Sequence, residues 1–146
     1  MGLIESCILK QSSVEDIPNE LITGRRLAKV IEVYDGDTVT VILFCGFRRQ
    51  KLKVRIYGLD TPEIRPLKSL SNREDEIKRA EAARDFLKQM VLNKVVVLEI
   101  RGREKYGRLL SSVYLKTRCT LLNIGELMIE KGHGIPYFGG KKNMSC

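Results

Sequence analysis

Apolar residues between Arg26 and Gly132 repeat first every second position, then every third or fourth, then every second again. LAKVIEVY (Leu27–Tyr34) predicts a strand with Leu27, Val30, Ile31 and Val33 apolar, and Asp35-Gly36 after it has hairpin-turn chemistry. VTVILF (Val39–Phe44), rich in β-branched residues, predicts a second strand. After a basic turn at Gly46–Gln50, KLKVRIYGL (Lys51–Leu59) predicts a third. In it Leu52, Val54 and Ile56 alternate with Lys53, Arg55 and Tyr57, so Arg55 points away from the apolar set. Pro62 and Pro66 bracket a loop reaching Asn72, and Ser71 and Glu74 have capping-box spacing. From Asn72 to Leu92 a helical stripe carries Ile77, Ala80, Ala83, Leu87, Met90 and Val91. KVVVLEI (Lys94–Ile100) predicts a fourth strand, GREKYG a charged turn and RLLSSVYL (Arg108–Leu115) a fifth strand. Leu121–Lys131 predicts a helix stopped by Gly132.

Three strands, a helix, two strands and a helix around one small core predict an α+β fold: a five-stranded OB-fold Greek-key barrel with two to three helices. Residues 1–24 are read as an N-terminal extension, with weak periodicity and one short helical turn near Val14–Ile22, and residues 25–146 as the folded domain.

Charge narrows the choice of partner. The chain carries 26 basic and 18 acidic residues, a net charge of +8, which suits nucleic acid or an anionic membrane surface. Cys7, Cys45, Cys119 and Cys146 form no C-x-x-C pair and are read as reduced. There is no secretory leader and no apolar run of membrane-spanning length, so an intracellular, cytoplasmic monomer is expected. The start does match M-G-x-x-x-S, with Gly2 and Ser6. That pattern permits N-myristoylation of Gly2, with Cys7 as a second, palmitoyl anchor to a membrane. An ordinary unmodified extension fits the same residues.

His133 is the only histidine, which excludes chemistry needing two, and no phosphate-binding glycine loop is present. Carboxylates and arginines concentrate instead at predicted strand ends: Asp35-Gly36-Asp37-Thr38, then Arg55 through Asp60-Thr61-Pro62-Glu63, then Glu104-Lys105-Tyr106-Gly107-Arg108. Each group alone is also a plain solvated turn.

Taken in order, D-G-D-T, R-x-x-x-x-D-T-P-E and E-K-Y-G-R closely resemble the staphylococcal nuclease family, over a span from about Arg26 to Gly132. The resemblance implies Ca2+-dependent hydrolysis of DNA and RNA, single strands preferred, with little sequence preference and 3′-phosphate products. It implies Asp37 and Asp60 as carboxylate ligands of Ca2+, with the Thr61 carbonyl, a hard oxygen set suited to that ion. It implies Glu63 as the residue that activates or orients water. Arg55 and Arg108 would hold phosphate oxygens through planar forks, and Lys105 and Tyr106 would contact substrate.

Three departures accompany the resemblance. Residues 133–146 are too few for a complete third helix, the Arg65–Asp75 loop is long, and the N-terminal extension has no counterpart. Phe47-Arg48-Arg49-Gln50-Lys51 is either a wider phosphate-binding surface or a solvated hairpin tip. The competing function is a non-catalytic nucleic-acid-binding module of the same fold. Such a surface favours exposed aromatics, and the chain has no Trp and only 6% aromatic residues.

Overall fold

The computed structural model describes residues 24–69 and 71–139. Strands β1 (Gly24–Val33), β2 (Thr38–Cys45) and β3 (Arg48–Ile56) form an antiparallel meander. After the short β4 (Gly58–Asp60) comes helix α1 (Arg73–Val91), then β5 (Val95–Arg103) and β6 (Leu109–Lys116). Strand β7 (Leu121–Asn123), helix α2 (Ile124–Glu130) and strand β8 (Ile135–Tyr137) complete the described elements. The main sheet runs β3-β2-β1-β5-β6-β7, and a parallel pairing of Val54–Ile56 with Leu109–Ser111 joins β3 to β6. That pairing closes five strands into a barrel with OB connectivity, as expected from the sequence.

Closure needs curvature, and two irregularities supply it. Ile31 is an extra residue on β1 between pairs Val30↔Val41 and Glu32↔Thr40. A similar shift occurs on β5 between Ile100 and Gly102. Such bulges bend a strand and reverse which alternate residue faces inward. Hence Ala28 and Val30 are buried before the bulge and Val33 after it, while Leu27 is exposed. On β3 the plain alternation holds: Leu52, Val54 and Ile56 are buried and Lys51 and Lys53 exposed.

Helix α1 caps the barrel with a small-residue stripe, Ala80, Ala83, Leu87 and Val91, all buried. Glu74, Asp75 and Glu76 in its first turn oppose the helix dipole. The expected Ser71–Glu74 capping box is replaced by a start at Asn72 with no side-chain cap bond. Three other boundaries differ from expectation. Gly58, at φ +80°, breaks the predicted third strand into β3 and β4. The second predicted helix begins only at Ile124, because Leu121–Asn123 pair with β6 and the Asn123 side chain then accepts from the Glu126 N–H. Strand β8, which the periodicity does not predict, pairs with β4. The helical turn expected near Val14–Ile22 lies outside the described residues.

Backbone bonds and close packing fix the loops at one barrel end. The Ile56 N–H donates to the Asp37 carbonyl at 2.8 Å, joining the β1–β2 loop to the end of β3. Gly36 lies against α1 and Thr61, where an added Cβ would come within 2.9 Å of both Ala83 Cβ and Thr61 Cγ2. Gly36→Ala should therefore lower stability by about 1–3 kcal/mol, seen as a lower urea midpoint at constant m-value. A neutral substitution would mean that α1 does not pin this loop.

Candidate functional site

The end of β3 delivers Arg55 to the mouth of a cleft of about 390 Å³. Arg55 pairs in register with Thr38 on β2 and Leu110 on β6, so three strands set its position. Its guanidinium meets three carboxylates: Nη2 lies 3.3 Å from Asp60 Oδ1 and 3.7 Å from Asp37 Oδ2, and Nη1 lies 3.3 Å from Glu104 Oε1. Burial works against the charge on Arg55, but Asp37, Glu104 and Asp60 outweigh it and raise its pKa.

Glu104 also holds the second arginine. In the five-residue turn between β5 and β6, the Glu104 N–H donates to the Arg108 carbonyl at 2.8 Å, and Gly107 takes φ +82°. The turn thereby faces the two side chains together, and Arg108 Nε lies 2.8 Å from Glu104 Oε2. That separation makes an ion pair, although its angle falls outside a regular hydrogen bond. Arg108 Nη1 donates to Thr38 Oγ1 at 3.4 Å, and the Thr38 hydroxyl donates to Asp37 Oδ1 at 3.0 Å. Glu104 thus carries an arginine on each of its carboxylate oxygens.

Asp37, Arg55, Asp60, Thr61, Glu63 and Arg108 all line this cleft. Lys105 and Tyr106 do not; they sit at the tip of the neighbouring turn, with Tyr106 82% exposed. Gly2 and Cys7 lie outside the described residues. The sequence motif contains Glu104 but assigns it no role of its own, because that role needs a partner 49 residues away; the aromatic that the segment 133–138 is able to lay near the site is Tyr137, whose ring lies 5.3 Å from the Arg55 guanidinium carbon. Tyr137 reaches the site because β8 pairs with β4, an approach that needs Gly134: a Cβ there would come within 2.8 Å of the Asp60 carbonyl. His133 stacks on Phe86, with ring centroids 4.7 Å apart, and does not line the cleft.

The donor chemistry fits a hard divalent cation. Burial raises the Asp37 pKa to about 6, with the neighbouring Asp35 charge adding to the effect and Arg55 only partly opposing it. A carboxylate held this way is short of positive charge. Arg55 Nη2 already lies between Asp37 and Asp60 as a stand-in cation. Among the described residues no cluster of three or more His, Cys, Asp or Glu forms a metal site by itself. Carbonyl, water and substrate oxygens would have to complete the shell.

The profile of the family described as staphylococcal nuclease homologue matches residues 53–145. An uncharacterized lipoprotein of Mycoplasma genitalium is 29% identical over 125 residues, covering 83% of this chain and 49% of its own length. An uncharacterized protein of Methanocaldococcus jannaschii is 27% identical, covering 75% and 58%. An uncharacterized endonuclease of Escherichia coli O157:H7 is also 27% identical, covering 71% and 56%. The chain spans about half the length of these curated relatives.

The Asp37 environment has a measurable consequence in chelator. Its folded pKa, about 6, lies above its ordinary 3.8, so its contribution to stability is complete below about pH 4 and is lost as pH rises through 6. Asp37→Asn should be more stable than wild type by about 1–3 kcal/mol near neutral pH, the difference vanishing in acid. Urea denaturation across pH checks this; a variant less stable at neutral pH would contradict it.

Proposed function

The chain belongs to the staphylococcal nuclease family, and from that premise we propose that it is a Ca2+-dependent, sugar-nonspecific nuclease. The family and the endonuclease-named relative support nuclease-like function. The substrates proposed are DNA and RNA, single strands preferred, cut with little sequence preference to leave 3′-phosphate ends. The observation carrying the reading is that one carboxylate, Glu104, braces both Arg55 and Arg108 beside the cleft shared by Asp37, Asp60 and Glu63.

Hydrolysis of a phosphodiester adds water to an anion and increases charge on the non-bridging oxygens. Arg55 and Arg108 receive that charge through N–H donors set in place beforehand. Glu63, on the exposed rim of the cleft, orients or deprotonates the attacking water. Asp37, Asp60 and the Thr61 carbonyl would hold Ca2+. When bound, that ion neutralises phosphate charge and polarises the phosphorus centre. The bond to the 5′ oxygen breaks, giving a 5′ hydroxyl and a 3′ phosphate. Lys105 and Tyr106, out on the turn, contact the strand outside the cleft.

A quenched-fluorophore single-stranded DNA provides the direct test. Cleavage should require Ca2+, stop with chelator and fall about 100-fold or more in Arg108→Ala while the thermal midpoint changes little. A folded wild type that binds the strand but cleaves it at no Ca2+ concentration would sink the proposal and favour a binding module.

The same proposal extends to location. No helix among the described residues is long and apolar enough to cross a membrane. The lipoprotein name of one relative supports membrane anchoring, and the M-G-x-x-x-S start supports Gly2, with Cys7, as its acyl sites; the protein proposed is an intracellular monomer held there. In cells with an N-myristoyltransferase, Gly2→Ala should move the protein from the membrane to the soluble fraction at constant cleavage rate. An unchanged distribution would remove the lipid anchor from the account.

A further inference from the structure

The outer face of the β2–β3 hairpin meets the cleft only at Arg55, yet the charge pattern of the rest is not one that a solvated strand needs. On β3 the outward positions are Arg49, Lys51, Lys53 and Arg55, every second residue in one line. The line begins at the hairpin tip and ends at the guanidinium that the cleft uses. Lys29 on β1 lies across Ile42 from Lys51 and adds another cation to the same face. Glu32 is the acid there, and it accepts from the Thr40 hydroxyl at 3.2 Å. Arg49, Lys51 and Lys53 are exposed neighbours of like charge, an arrangement that raises the energy of the free protein. An anion laid along the row would remove that penalty.

Spacing and apolar groups indicate which anion. Alternate residues of a strand repeat at about 6.6–6.8 Å, comparable to the separation of successive phosphates along an unstacked single strand. Phe44, 62% exposed, lies directly across from Arg49, a ring where a splayed base would stack. Between row and cleft, Lys53 Nζ lies 5.9 Å from the ring centroid of Tyr34, and Tyr34 lines the cleft. A lipid surface would need only the tip, Phe47 and Arg48, and would give no reason for the row to run into the cleft.

We propose that this face is a backbone track for the unpaired nucleic-acid strand whose scissile phosphodiester sits at Arg55 and Arg108. Flanking phosphates lie on Lys53, Lys51 and Arg49, and a flanking base lies against Phe44. The track rests on the nuclease reading for what occupies its inner end. It extends that reading by assigning a binding surface several nucleotides long.

Fluorescence anisotropy with an end-labelled oligothymidylate of about twenty nucleotides, in chelator so that nothing is cut, tests it on the full chain. Arg49→Ala/Lys51→Ala should bind about tenfold more weakly at low salt. Its log–log salt slope should be shallower by about 1.4, roughly 0.7 for each phosphate that the variant leaves unneutralised. Circular dichroism and the thermal midpoint confirm that the variant folds. With Ca2+ present, its kcat/KM on the long strand should fall about tenfold further than on a dinucleotide too short to reach Lys51. Equal affinity and equal slope would overturn the track. So would unchanged oligonucleotide binding together with abolished binding to phosphatidylserine vesicles, which would assign the face to a membrane. A wild type with the steeper slope that cleaves neither substrate would overturn the nuclease reading and leave the track supported.

Discussion

A guanidinium surrounded by carboxylates is the feature on which the rest of this structure turns. Arg55 is 16% exposed at its side chain and faces Asp37, Asp60 and Glu104, which come from three different segments. Ion pairs this deeply placed are poor stabilisers, because desolvation offsets most of the attraction. Their value is positional. Removing the arginine would leave three acids crowded at the end of a barrel, and removing Glu104 would take the carboxylate from Nη1, whereas Nη2 is shared by Asp37 and Asp60. The two bulges and the β3–β6 closure bring those segments together, so the curvature of the barrel and the geometry of the site are one constraint.

Much of this was legible in the residues themselves. The alternation of Leu52, Val54 and Ile56 with Lys53 and Arg55 is a local signal, and the strand follows it. The stripe through Ala80, Ala83, Leu87 and Val91 is equally local. Elements that exist only through pairing were not legible. Strands β4, β7 and β8 have three residues each, too short for periodicity to register, and are defined by their partners. The bulge at Ile31 hid the inward phase of β1 for the same reason: an apolar run longer than the buried face fits two registers.

The site divides along the same line. Motifs identified Asp37, Arg55, Asp60, Thr61, Glu63 and Arg108, and the fold gathers all six around one cleft. Neither Glu104 as a brace between arginines nor Tyr137 beside Arg55 follows from spacing, since each depends on an approach made across the fold. Strand alternation links site and surface: the parity that turns Arg55 toward the cleft also turns Lys53, Lys51 and Arg49 onto one face. A single β-strand therefore carries both the arginine that lines the cleft and the basic row that leads to it.

The central claim is that Arg55 occupies the charge position between Asp37 and Asp60 that a divalent cation would share. Calorimetric titration of Ca2+ into wild type and a folded Arg55→Met variant addresses it without relying on turnover. Loss of the competing guanidinium should tighten Ca2+ binding, by about tenfold for one nearby charge at an effective dielectric typical of partly buried sites. Weaker or unchanged Ca2+ binding in the variant would contradict the account, because Asp37 and Asp60 would then not be the carboxylates that arginine and metal share.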